Sequence, residues 1–277
     1  MIMGILGPQG TFSEAAAISY CSPETELVYA ESIQELFIML GQQVVSDILI
    51  PFENSSAGIL RKSLAGLMEY PVTIKGETIV PIEQHLMSLH EYELTEIELV
   101  VTQPAVLAQC ENYLKSHLPD ARIEIAESTA RAAQVVARES RRAAAIGPRQ
   151  AAQNYGLIVI ASGIQQEDNC TRFLHLSKRE VLWSDSGAGD KGSILLELEN
   201  QPGALYKAIE IFARRNINLC KIESYPVNNK KGYRFYIEAH MPGENLIIKD
   251  LLGELDNHCR KITYLGKYKQ HREDIKC

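Results

Sequence analysis

Through the first two thirds of the chain, short apolar runs alternate with stretches of helical period. Strand-like runs read MGILG (3–7), ELVYA (26–30), SDILIPFEN (46–54), IELVVT (97–102), RIEIAE (122–127), AAAIG (143–147) and LIVIASG (157–163). Between them lie an Ala-rich helix from Thr11, SIQELFIMLGQQ (32–43), a helix expected over about 56–69, LAQCENYL (107–114), a helix from Ser128 and a short helix after Gly147. Such alternation predicts an α/β unit with a predominantly parallel sheet and helices on its faces. In sheets of that kind ligands lie beyond the C-terminal ends of the strands, so the strand-to-helix loops are the places to look for chemistry.

The pattern changes after SDSGAGDKG (184–192), a Ser/Gly/Asp stretch with the composition of a linker. Beyond it come a strand (KGSILLELE), an amphipathic helix (GALYKAIEIFARR), two strands joined around NNKKG, a second helix (NLIIKDLLGEL) and a last strand (RKITYLGKY), the order βαββαβ. Domain boundaries of 1–185 and 190–270 follow. Charge changes at the same place: residues 1–187 carry 13 basic and 23 acidic side chains, residues 188–277 carry 15 and 12. Neither part has the dense basic face of a nucleic-acid binder. A hydrophobic fraction of 45% over 277 residues allows a sizeable core and about two domains. No apolar run is long enough to span a membrane, and the first strand begins almost at Met1, so a cytoplasmic protein is expected. The six cysteines, at 21, 110, 170, 220, 259 and 277, show no C-x-x-C or zinc spacing and read as free thiols; no metal or cofactor is expected.

Three loops put hydroxyls at an expected helix start. Thr11 and Glu14 in GPQGTFSEAA have capping-box spacing, Ser55 or Ser56 in PFENSSAG can cap, and Ser128 in ESTARAA can cap. Each has two readings. A cap satisfies only its own helix, whereas several helix N-termini converging with Arg172 form a site for a small anion. The stretch IQQEDNCTRF (164–173), too irregular for a helix or strand face, presents Asn169, Thr171 and Arg172 together. Here too there are bland readings: an Asx turn for Asn169, a strand-end hydroxyl for Thr171, an ion pair with nearby acids for Arg172.

GPQGTFSEAA, PFENSSAG, STARAA and NCTRF resemble the ordered motifs of the prephenate dehydratases, and ENQPGAL (199–205) and ESYP (223–226) resemble those of the ACT regulatory domain that follows in that family. The resemblance runs from about residue 4 to about residue 268 and implies a bilobed, periplasmic-binding-protein-like catalytic domain followed by an α+β ACT domain. It implies decarboxylating dehydration of prephenate to phenylpyruvate, without a cofactor, in phenylalanine biosynthesis. Thr171 would assist the departing hydroxide. Thr11, Asn54, Ser55, Ser128, Thr129, Asn169, Arg172 and Phe173 would hold the substrate. L-phenylalanine would bind a homodimer or homotetramer as allosteric effector, near Asn200, Pro202, Gly203, Ala204, Leu205, Glu223 and Ser224. The alternatives are arogenate as substrate and a noncatalytic sensor of aromatic metabolites. Two departures stand out. Thr102-Gln103-Pro104-Ala105 replaces the common Ser-His-Pro-Gln, and Tyr225 replaces the arginine of Glu-Ser-Arg-Pro.

Overall fold

The structure, a computed structural model, describes residues 1–139, 142–166, 168–179, 189–226, 232–241 and 245–269. The chain forms two compact units. The first takes in Met1–Gly66 and Thr78–Phe173; the second takes in Leu67–Glu77 and the described residues of Leu174–Arg272. Most of the expected linker, residues 184–188, falls outside the described residues.

Up to Phe173 the elements are β1 (Ile2–Leu6), α1 (Phe12–Tyr20), β2 (Glu26–Ala30), α2 (Ile33–Gly41), β3 (Asp47–Asn54), β4 (Gly58–Ile59), α3 (Arg61–Glu69), β5 (Val72–Pro81), β6 (His85–Ser88), β7 (Leu99–Thr102), α4 (Pro104–His117), β8 (Arg122–Ile125), α5 (Thr129–Val136), β9 (Ala143–Gly147), α6 (Arg149–Tyr155), β10 (Ile158–Ala161) and β11 (Cys170–Lys178). They build two sheets rather than one. The first has the order β2-β1-β3-β11-β5 with β4 added to β3; the second has the order β10-β6-β9-β7-β8. Parallel pairing holds for β1 with β2 and β3 and for β7 with β8 and β9, whereas β6 runs antiparallel to both its neighbours. The chain passes from the first sheet to the second between β5 and β6, and returns between β10 and β11.

Apolar residues follow the expected periods. β7 and β9 are buried on both faces, as central strands covered by helices must be. Val106, Cys110 and Leu114 of α4 form a stripe of period four on Val100, Ala144 and Ile146. On the first sheet, Met3, Ile5 and Leu49 pack with Ala16 and Ala17 of α1 and with Phe173 of β11. Gly66 of α3 is required by close packing, because a Cβ there would lie 2.0 Å from the ring of the buried Phe37 on α2.

The helix expected over 56–69 is shorter. Residues 54–57 form a turn into β4, and α3 starts at Arg61. Asn54 causes this: its Oδ1 accepts from the N–H groups of Ser56 (3.1 Å) and Ala57 (3.0 Å), and Gly58 at φ +74° turns the chain back on β3. Ser55 and Ser56 therefore do not cap a helix.

The second unit continues with β12 (Lys191–Leu198), α7 (Ala204–Arg214), β13 (Leu219–Pro226), β14 (Tyr233–His240), α8 (Asn245–Asp256) and β15 (Lys261–Tyr268), the expected βαββαβ order, in an antiparallel sheet β13-β14-β12-β15. The NNKKG connection lies largely outside the described residues. Ile194, Leu196 and Ile237 of the sheet pack with Ala208, Ile211 and Phe212 of α7 and with Leu251 and Leu255 of α8. Lys191 is 5% exposed and ion-pairs with Glu77 (2.9 Å) and Glu238 (3.0 Å). Tyr236 donates to Glu238 at 2.7 Å, and Ser193 bonds the hydroxyls of Tyr236 and Tyr268. These buried charges are tolerated because each has opposite charge or a hydrogen bond beside it.

Cys21, Cys110, Cys220 and Cys259 are free thiols. Cys170 is not: it is disulfide-bonded, which corrects the free-thiol expectation at that position. No helix among the described residues is long and apolar enough to cross a membrane.

Candidate active site

The first unit contains a cavity of about 320 Å³ onto which three helix N-termini open. Thr11, Phe12 and Ser13 reach it from the start of α1, Gln103, Ala105 and Val106 from the start of α4, and Ser128 and Thr129 from the start of α5. Among the described residues no ionisable side chain lines it. Its capacity for an anion comes from unpaired backbone N–H groups, helix dipoles and neutral side-chain donors. Gly10, just before the start of α1, has a left-handed backbone that favours glycine. It sits at φ +84°, and a Cβ there would lie 3.3 Å from Tyr155, 3.4 Å from Ala151 and 3.6 Å from Ala130.

The expected capping box at Thr11 does not form. Thr11 occupies the N-cap position without a side-chain cap bond, and the buried Glu14 carboxylate instead accepts from Gly10 N–H (2.6 Å), Tyr29 O–H (2.5 Å) and Asn154 Nδ2 (2.8 Å). Burial and the bond to Glu14 push the Tyr29 phenol well above its ordinary range. Ser128 does cap, accepting from Arg131 N–H at 3.0 Å, and its residue also lines the cavity.

The same cavity is bordered by a chain of amide and hydroxyl groups whose polarity is set by backbone N–H groups. Ser56 and Ala57 donate to Asn54 Oδ1, so the other end of that amide is the donor Nδ2. Asn54 Nδ2 donates to Asn169 Oδ1 at 2.8 Å and to Thr171 Oγ1 at 3.1 Å. Cys170 N–H donates to Ser55 Oγ (3.0 Å), which passes its own hydrogen to Asn169 Oδ1 (2.9 Å). Asn169 is left with a buried, unpaired Nδ2, and Thr171 keeps its hydroxyl hydrogen to give away. Both residues line the cavity. Ser55 is not among the lining residues; it acts behind Asn169.

Alternation along β11 separates the three residues of the Thr-Arg-Phe run. Thr171 and Phe173 are cavity-lining, while Arg172 is not. Its guanidinium donates twice to Glu53 Oε2, from Nη2 at 2.8 Å and from Nε at 3.1 Å, and lies 5.1 Å from the centre of the Phe52 ring. The ion pair ties β3 to β11 and so holds Asn54 level with Thr171.

Gln109 and Gln84 are among the cavity residues that were not singled out from the sequence. Gln109 sits one turn beyond Val106 on the inward side of α4, and the spacing 103, 106, 109 is a signal that could have found it. Gln84 lies in the irregular link between β5 and β6, where no period marks a face.

The expected effector residues lie in the second unit. Asn200 and Pro202 belong to the turn after β12, Gly203 at φ +82° is the N-cap of α7, and Ala204 and Leu205 open that helix. Glu223 and Ser224 sit on β13, paired with Tyr236 and Phe235 of β14, so within one chain β14 separates them from β12.

The family model for prephenate dehydratase matches residues 3–181. A prephenate dehydratase of Methanocaldococcus jannaschii is 34% identical over 269 residues, which cover 94% of this chain and 95% of the relative. Arogenate dehydratase/prephenate dehydratase 2 of Arabidopsis thaliana is 33% identical over 274 residues, covering 95% and 71%. The crystal structure of the Arthrobacter aurescens prephenate dehydratase in complex with L-Phe is 29% identical and matches 97% of this chain and 90% of that one with a TM-score of 0.86. With the family model covering well over half of its length, and with these motifs gathered around one cavity, the chain belongs to the prephenate dehydratase family.

Proposed function

We propose that the cavity converts prephenate to phenylpyruvate, with loss of carbon dioxide and water. The observation that carries this reading is the bond from Asn54 Nδ2 to Thr171 Oγ1, which leaves the threonine hydrogen as a donor. Prephenate bears a ring carboxylate, a pyruvyl side chain with a second carboxylate, and a hydroxyl across the ring. As carbon dioxide leaves, electrons move through the diene and expel the hydroxyl, and aromatisation supplies the driving force. The site has to hold two carboxylates and assist hydroxide departure. The helix starts at Thr11, Gln103 and Ser128, together with Thr129 and Asn169 Nδ2, serve the first task. Thr171 serves the second, polarising the departing oxygen or relaying a proton to it. Arg172 contributes through Glu53, keeping β11 in register, and Phe173 forms apolar wall.

The same lining favours the keto acid over its amino counterpart. Arogenate carries an ammonium group, and among the described residues no acidic side chain lines the cavity to pair with it. Phenylpyruvate formation from prephenate, with arogenate assayed in parallel, tests both statements. Faster turnover of arogenate sinks the substrate preference, and tight binding of prephenate without turnover leaves a sensor.

We further propose that residues 190–270 form an ACT regulatory domain, that residues 1–185 form the catalytic domain, and that the protein is a cytoplasmic homo-oligomer inhibited by L-phenylalanine. The effector would sit between the Asn200–Leu205 turn of one subunit and the Glu223–Ser224 region of its partner. Support comes from Gly203, whose left-handed backbone brings the N–H groups of the α7 start within reach of an amino acid's carboxylate. Tyr225 removes a cation found there in relatives, so weak coupling between effector and catalysis is expected. Gly203→Ala should weaken phenylalanine binding in calorimetry and leave uninhibited kcat unchanged; undiminished binding puts the effector elsewhere.

A further inference from the structure

Gln84 is 1% exposed and lines the cavity. Its backbone is fixed at both polar groups, with N–H donating to Gln165 Oε1 at 2.9 Å and the carbonyl accepting from Ile164 N–H at 3.0 Å. Its Nε2 donates to Gln109 Oε1 at 3.0 Å, and the Gln109 carbonyl accepts from Gln166 N–H at 2.9 Å. Gln84 Oε1 is buried without a partner. An unpaired buried acceptor is a liability that an apolar side chain of the same shape would not carry. Strain of this sort persists where function requires it. The Nε2 hydrogens of Gln109 have no partner among the described residues, and Gln109 also lines the cavity.

We propose that Gln84 is a positioning residue which, by donating to Gln109 Oε1, turns the Gln109 amide so that its Nε2 is the atom left for the substrate. The polarity then matches the rest of the wall. Asn169 Nδ2, the Thr171 hydroxyl and the helix N-termini are all donors, and the carboxylates and keto group of the proposed substrate are all acceptors. Reversing the Gln109 amide would set an oxygen against them.

The inference rests on the proposed activity, and its test is a double-mutant cycle on the full chain with Gln84→Met, Gln109→Met and the pair. KM and kcat for prephenate and the unfolding midpoint are measured for each. Gln84→Met should raise KM about 3- to 10-fold, the worth of one neutral hydrogen bond, with kcat little changed. Its midpoint should stay close to that of the wild type, because the lost bond to Gln109 Oε1 is offset by removal of the unpaired acceptor. In the Gln109→Met background the Gln84 substitution should have no further effect on KM. An unchanged KM in Gln84→Met overturns the inference. So does a KM effect that multiplies with that of Gln109→Met, or one accompanied by a matching fall in the midpoint. A folded wild type that does not turn over prephenate overturns the activity and this inference together.

Discussion

Thr171→Val removes the proposed donor and almost nothing else. Valine has threonine's shape, with a methyl in place of the hydroxyl. The side chain is 8% exposed, so the apolar replacement suits its surroundings. Asn54 Nδ2 loses one acceptor but keeps Asn169 Oδ1 at 2.8 Å and the Cys170 carbonyl at 3.2 Å, so no donor is orphaned. The stability cost is then that of one net hydrogen bond, about 1 kcal/mol. The catalytic cost is larger, because the hydroxyl acts when charge develops on the leaving oxygen. Positioned proton-transfer groups contribute roughly 10²- to 10⁴-fold, or about 2.7–5.5 kcal/mol of activation free energy. The loss should fall on kcat with KM nearly constant, because the interaction is strongest in the transition state. Phenylpyruvate formation by the purified variant, with urea unfolding in parallel, measures both quantities. A kcat within about tenfold of the wild type is too small for this role. A raised KM at unchanged kcat would make Thr171 a binding residue.

Three further outcomes follow from the geometry. Asn54→Asp keeps an acceptor for Ser56 and Ala57 N–H but cannot donate to Thr171 Oγ1, so the threonine hydrogen turns to the carboxylate and kcat falls although the hydroxyl remains; wild-type kcat in this variant would break the relay. Arg172→Met removes the ion pair to Glu53 and lowers unfolding stability by about 2–3 kcal/mol with KM little changed, whereas a tenfold higher KM at an unchanged midpoint would show that Arg172 binds the substrate. At pH 8 iodoacetamide should label exposed Cys220 but spare Cys110, whose thiol burial pushes up to about 12, and Cys259, pushed up to about 11 by burial and by Asp256; peptide mass spectrometry reads the pattern, and equal labelling of all three would contradict the burial.

Local chemistry in the sequence determined a good deal of this protein. The strand and helix periods, the hydroxyls before α1 and α5, the βαββαβ order after the linker and the Thr-Arg-Phe run all depend on neighbours a few residues apart, so they can be read along the chain. Contacts between distant residues decided the rest. Asn54 reaches Asn169 and Thr171 across more than a hundred residues, and that reach selects which end of each amide donates. The run into β11 did not read as a strand face, and only the sheet and the helices packed on it could say that Thr171 faces the cavity and Arg172 faces Glu53. Glu14 and Thr11 had capping-box spacing until Tyr29 and Asn154 took the carboxylate. β5 shows the same limit: VTIKGETIVP has a polar centre that does not read as a buried strand, and Glu77 can be buried there because Lys191, 114 residues later, lies 2.9 Å from its carboxylate. A charge enters a protein interior only in company, and its company is set by the fold.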